Sequence, residues 1–166
     1  MGSEMCIRDR IVRVGNGHAP EHLTLWCEDE PIVIAGDQII SSISPNLGVY
    51  ATEPEADPVQ EWLMSCEAFL PFSNDKQLVL PGHKLPFYGL PHRLKQLIEN
   101  HHSALKRLVA FLKEPQTAVD CFPVLFNRKI SDNEYGLALV EAVAHLNHLY
   151  RKKIVKRELN SKGAYV

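Results

Sequence analysis

No apolar run in this 166-residue chain is long enough to cross a bilayer, which takes about 20 residues. Nor does it show the charged start, short apolar core and small-residue cleavage site of a secretory signal. A cytoplasmic protein with no membrane partner is therefore expected. Cysteine is scarce: four residues at positions 6, 27, 66 and 121, too scattered for a clustered metal site or a disulfide framework, so reduced structural thiols are expected. Positive charge is scarce in the first part of the chain. Residues 1–92 hold 5 Lys/Arg against 13 Asp/Glu (net −8), and residues 93–166 hold 13 against 7 (net +6), which together give the overall −2. Such a reversal implies two units of different character meeting near Leu90.

Apolar residues make up 45% of the chain, ample for a packed core and against wholesale disorder. Residues 1–10 have no period, resemble sequencing-adapter read-through, and are set aside as a non-native leader; the protein proper is then expected to start mid-chain near Ile11. Strands are expected at Ile11–Val14, Leu23–Cys27, Pro31–Ala35 and Gln77–Leu80, the second and third forming a hairpin. Residues 41–56 read as an ordered loop. Asp57, Pro58 and Gln60 are the N-cap, first position and capping partner of a helix whose apolar face is Trp62, Leu63, Cys66, Phe69 and Leu70. A long amphipathic helix follows from Leu90 to Lys113, with Leu94, Leu97, His101, Leu105, Leu108 and Leu112 on one face. Thr117-x-x-Asp120 is expected to open a short helix, Ser131-x-x-Glu134 to cap a third helix ending near Arg151, and Ile154–Leu159 with Ala164–Val166 to form a hairpin. Three helices and a hairpin suggest a winged-helix-type unit over 90–166, after a unit over 11–89.

Three short motifs bear on chemistry: Gly17-His18, Gly36-Asp37 and Pro81-Gly82-His83. Each follows an expected strand and offers one metal-type ligand from a loop. Two imidazoles and a carboxylate suit a zinc-type centre. A carboxylate can bridge two cations, and a metal pair can stabilise both the attacking and the leaving oxygen of a displacement. The remaining histidines read as structural: His22 as packing or support, His101 and His102 on the long helix, His145 and His148 three apart on the third. His92 could line a substrate mouth. The basic run Arg151–Arg157 offers a competing reading, a non-catalytic winged-helix module that binds a protein or contacts nucleic-acid phosphates. Against it, few aromatics are placed for base stacking, and cations at a helix C-terminus also suit its dipole.

The strings Gly17-His18-Ala19-Pro20-Glu21-His22, Ala35-Gly36-Asp37-Gln38 and Leu80-Pro81-Gly82-His83 together resemble the metallo-β-lactamase fold superfamily. The wording at Ser44-Pro45-Asn46, over Thr52–Pro58 and along the tail from His101 to Leu146 resembles its glyoxalase II-like hydrolases, which carry a C-terminal winged helix. The resemblance spans about Ile11 to Val166. It implies an α/β fold: the C-terminal half of an αββα sandwich followed by a winged-helix-like α+β unit. It implies that His18 completes the histidine set of a first metal, that Asp37 bridges two metals as the catalytic carboxylate, and that His83 binds the second. The cofactor would be zinc, two ions in the full-length parent, with iron or manganese also compatible. The reaction would be hydrolysis of a small-molecule ester, thioester or phosphodiester by a metal-bridging hydroxide. The family's main motif, His-x-His-x-Asp-His, occurs nowhere in this sequence. The chain is therefore expected to be an inactive, N-terminally truncated part of a hydrolase, and to expose an apolar sheet face and an unpaired edge. A second departure is Glu21, where glycine is frequent; it removes no ligand.

Overall fold

The computed structural model describes residues 10–166. The chain divides into two compact units. One takes the described residues up to Pro45 together with Glu61–Ile98, and the other takes Asn46–Gln60 together with Glu99–Val166. A boundary at 89/90 does not assign residues 46–60 to the second unit, as this partition does. That segment has no hydrophobic period from which its packing partner could be read.

In the first unit, strands β1 (Arg10–Gly15), β2 (His22–Cys27), β3 (Ile32–Gly36) and β4 (Leu78–Pro81) form one sheet in the order β1-β2-β3-β4. β1 begins at Arg10, one residue inside the segment set aside as a leader; the other nine residues of that segment lie outside the described residues. β1 pairs antiparallel with β2 from Arg10↔Cys27 to Gly15↔His22. β2 and β3 form the expected hairpin. β3 and β4 are parallel, which requires a crossover; it contains α1 (Pro58–Phe69).

Period-two alternation sorts the strand residues onto two faces. Thr24, Trp26, Val33 and Val79 are buried on one. There Trp26 donates its indole N–H to Thr24 (2.9 Å), whose hydroxyl donates to the Arg13 carbonyl (2.7 Å). The Phe69 ring of α1 lies 5.7 Å from Trp26, and the Arg13 guanidinium stacks on Phe72 at 3.3 Å. The register places Val12, Val14, Leu23, Leu25, Ile34 and Leu80 on the other face. Of these Val14, Leu23 and Ile34 are exposed, Leu23 by 58%. A row of aliphatic side chains in water is uncommon on a soluble monomer.

The second unit contains the C-terminal part of α2 (Leu90–Phe111), α3 (Phe122–Phe126) and α4 (Tyr135–Arg151). Leu105 and Leu108 are buried on α2, as their spacing requires, and His101 is buried with them. Its ring stacks on that of His145 at 5.6 Å. Burial, then the His101 charge, push the His145 imidazole down to about 3, and its Nδ1 lies 2.9 Å from the Glu141 carbonyl. Thr117 and Asp120 do interact, through Thr117 N–H and O–H donating to the carboxylate (2.9 and 2.6 Å), but they close a turn and α3 starts only at Phe122. Pro123 lacks an amide hydrogen and is tolerated only in a first turn, so it sets that start. The Ser131–Glu134 capping box is present and opens a 3₁₀ turn, Asp132–Glu134, that leads into α4.

α4 ends as a Schellman motif: Ile154 N–H reaches the Leu149 carbonyl (3.0 Å), Lys153 N–H the Tyr150 carbonyl (2.9 Å), and Lys153 takes φ 58°. This closure keeps Ile154 out of a strand. The terminal hairpin is accordingly shorter than expected, with Glu158 and Val166 exchanging two 2.9 Å backbone bonds and Leu159 facing Tyr165. Cys66 and Cys121 are buried, and burial raises both thiols, Cys121 to about 11.

Two features of these units are open to measurement. Replacing Leu23 and Ile34 together by Lys should sharply reduce apolar-dye fluorescence and concentration-dependent light scattering. Stability should change by no more than about 0.5 kcal/mol per site, because these positions are exposed; a large drop in thermal midpoint would show that the face is covered. The second feature is Glu141, which accepts from Asn46 Nδ2 (2.9 Å). Burial pushes its carboxyl up to about 7 from an ordinary 4.5, against the opposing Asn46 hydrogen bond and Arg128 charge. The folded state thus holds this proton to higher pH than the unfolded state. The associated stability is full below about pH 4.5 and is lost as pH rises through about 7. Glu141→Gln should gain thermal midpoint relative to the parent over that window, read by calorimetry at several pH values.

Candidate metal centre

The three motifs converge at one end of the first unit's sheet. Gly36 ends β3 with φ +53°, a left-handed conformation that glycine adopts without steric cost. The chain turns there and presents Asp37. A side chain at Gly36 would meet strain and crowding together, because a Cβ would lie 2.6 Å from His22 Cε1. β4 runs parallel to β3, so its C-terminal end delivers Pro81-Gly82-His83 to the same place. Gly82 N–H donates to the Gly36 carbonyl (2.8 Å). A Cβ at Gly82 would sit 2.7 Å from Asp37 Oδ1, so the close approach of this loop depends on glycine.

Asp37 is the centre of the group. Its Oδ1 lies 2.6 Å from His83 Nδ1, and its Oδ2 lies 3.8 Å from His18 Nε2. Asp37 and His18 are about a quarter exposed, whereas His83 is 71% exposed. All three residues singled out in the sequence are therefore brought together. Among the described residues, however, no group of three or more His, Cys, Asp or Glu is arranged to hold a metal ion. The physical reason is visible at Asp37: one carboxylate oxygen is engaged directly by His83, at a distance that leaves no room for a cation between them.

The donor set nonetheless fits a borderline cation. It consists of two imidazoles and one carboxylate, on loops ending or following three different strands, and one of them, His83, is an exposed side chain. Next to it, the His22 ring lies 5.9 Å from that of His18, and the buried His22 Nδ1 has no hydrogen-bond partner among the described residues. His22 thus serves as the wall against which Gly36 closes, in keeping with the packing role read from the sequence.

The other histidines lie elsewhere. His148 of α4 approaches Asp57 Oδ1 at 3.0 Å, with Arg151 at 4.0 Å, and Asp57 also accepts the Gln60 amide (3.0 Å), confirming its cap. Burial would raise the Asp57 carboxyl; the hydrogen bonds from His148 and Gln60 and the charges of His148 and Arg151 outweigh it and hold the group below its ordinary value. Sequence spacing gave no signal for this buried pair, because its members are 91 positions apart.

The basic run is partly committed within its own unit. Arg151 donates to the Glu55 carbonyl (2.9 Å), and Arg157 donates to the Glu55 carboxylate (2.6 Å) while stacking on Tyr150 and Tyr165 at 4.3 and 4.8 Å. Lys152, Lys153 and Lys156 are exposed. A groove of ≈ 670 Å³ in this unit is bordered by Tyr50, Tyr150 and Tyr165.

Residues 105–166 match the family model described as the metallo-beta-lactamase-like C-terminal domain. No curated protein matches the chain. Among solved structures, a beta-lactamase domain protein from Burkholderia ambifaria shares 34% identity, with TM-score 0.90, over 99% of this chain and 48% of its own length. A metallo-beta-lactamase family protein from Thermus thermophilus shares 28% identity, with TM-score 0.80, over 99% of this chain and 52% of its own. The chain thus spans about half the length of each. It carries a metallo-β-lactamase-like C-terminal domain, and its mixed α/β fold matches C-terminal portions of metallo-β-lactamase-fold proteins, a superfamily that typically binds metal ions and is in general hydrolytic.

Gly36→Ala tests the turn on which the group rests. It should cost about 1–2 kcal/mol from the left-handed backbone alone, and more if His22 cannot yield. An unchanged denaturation midpoint would mean that the turn relaxes freely.

Proposed function

We propose that this chain supplies part of the site of a metal-dependent hydrolase, with His18, Asp37 and His83 as its contribution to the metal ligands. The observation that supports this reading best is the convergence of the three side chains on the Asp37 carboxylate. Asp37 has one oxygen toward each histidine, the disposition a carboxylate needs to be shared between two cations. Zinc is the cation that best suits imidazole and carboxylate together, with iron and manganese as further candidates. A bound divalent cation would polarise a carbonyl or phosphoryl group and acidify a water molecule. Gly36 fixes the direction of Asp37, Gly82 lets the third loop close on it, and His22 supports the turn.

In this reading the remaining ligands belong to a longer parent protein, in a His-x-His-x-Asp-His string that this chain lacks, and the chain alone is inactive. The substrate is a small ester, thioester or phosphodiester. The parent is of the glyoxalase II-like kind, and the helices and terminal hairpin of the second unit form its winged-helix-like part. A nucleic-acid role for that unit has less support, since Arg151 and Arg157 are already engaged by Glu55.

A zinc titration of the chain, followed by the histidine ring signals in NMR, tests the ligand assignment. One weak site should shift His18 and His83 together, and Asp37→Ala should remove the saturable response. Equal binding by the Asp37 variant would sink the assignment. The parent reading is tested by the coding sequence upstream: a reading frame that continues without the missing string would refute it.

A further inference from the structure

Gln38 follows Asp37, and it is fully buried, with 0% of its surface exposed. A long amide in that position is costly unless it is bonded. Its Nε2 donates to the backbone carbonyl of Asn16 at 3.0 Å, two residues before His18. Its Oε1 is buried and has no hydrogen-bond partner among the described residues. The side chain therefore reaches across from the Asp37 loop to the His18 loop and makes one directed contact there.

Both ends of this link are fastened. At the Asp37 end, the Gln38 carbonyl accepts from the Trp62 indole N–H (3.1 Å), and the Gln38 N–H donates to the Ala35 carbonyl (3.2 Å). At the His18 end, Asn16 N–H donates to Ser65 Oγ (2.9 Å), and Asn16 Oδ1 accepts from Glu21 N–H (2.9 Å). Ser65 Oγ in turn donates to the Glu61 carbonyl in α1 (2.8 Å). The path is also sterically prepared. A Cβ at Gly15 would lie 2.5 Å from Gln38 Cδ and 2.6 Å from its Nε2, so the glycine preceding Asn16 leaves the room that the amide fills.

We propose that Gln38 is a positioning residue: a buried amide strut that sets the spacing of His18 and Asp37 and so prepares the pair to share a metal. His18 Nε2 and Asp37 Oδ2 stand 3.8 Å apart, and Gln38 joins their two loops directly through its side-chain hydrogen bond. The proposal rests on the reading of His18 and Asp37 as ligands. It adds that their separation is held by a residue that touches neither metal nor substrate.

The test is the same zinc titration, applied to Gln38→Met, which keeps length and bulk but has no donor, and to Gln38→Asn, which keeps the amide but falls one methylene short of Asn16. Support groups around metal ligands commonly contribute 10–100-fold in affinity, so each variant should raise the half-saturation concentration about tenfold or more while far-UV dichroism stays that of the parent. The His18 ring signals of the metal-free protein should also shift or broaden, which a purely global loss of stability would not cause below the thermal transition. If Gln38→Met fails to fold, the decision rests on Gln38→Asn. Unchanged zinc affinity in a folded variant, with Asp37→Ala still abolishing binding, would overturn the strut and leave the ligand assignment intact. Unchanged binding in Asp37→Ala as well would overturn both.

Discussion

The Asp37 carboxylate is shared between two imidazoles, and it can be so only because the chain reverses direction at a residue without a side chain. Gly36 has a left-handed backbone, the His22 ring against its Cα and the Gly82 amide on its carbonyl. A Cβ there would strain the left-handed backbone and lie 2.6 Å from His22 Cε1. The rest of the candidate centre follows from that turn. β3 and β4 are parallel and end together, so one loop delivers a carboxylate and the next a histidine, while the antiparallel β1–β2 turn brings the other histidine to the same end. The common arrangement of ligand sites at the carboxyl ends of parallel strands is here reduced to a single parallel pair.

As it stands, His83 and Asp37 satisfy each other, which removes the cost of leaving a partly buried carboxylate unpaired. The same hydrogen bond must open before either atom can serve a cation. His83 is largely exposed, whereas the side chains of Asp37 and His18 are mostly covered by their surroundings.

Much of this could be read from the residues in order, and what could not has a common cause. The four strands, the Asp57 cap, the apolar stripe of α2 and the Ser131–Glu134 box all depend on neighbours within a few positions, where periodicity and capping chemistry act. The three ligand candidates stand out in the sequence because each follows a glycine at or just after the end of a strand. The Thr117–Asp120 pair misled as to the helix start because its hydrogen bonds close a turn equally well, and Pro123 decided the outcome. The hairpin was overdrawn because a lysine, not a glycine, occupies the left-handed position that ends α4. The Asp57–His148 pair, the His101–His145 stack and the Gln38 link have no local signature at all; they join positions 22 to 91 residues apart.

Asp57 also illustrates how one carboxylate can make distant parts of the chain behave as one. It accepts the Gln60 amide in α1's first turn and pairs with His148 in the last turn of α4, and Arg151, one turn on, reaches back to Glu55. Asn147 meanwhile holds the carbonyls of Pro54 and Ala56 at 2.8 and 3.2 Å. The loop of residues 54–57 is therefore fastened to one face of α4 as well as by its own turn, in which Ala56 N–H donates to the Glu53 carbonyl (3.1 Å). Fraying of that helix end would release the loop and uncap α1 in the same event, so the three segments should open as a single cooperative element rather than as a loop that moves while its helices stay still.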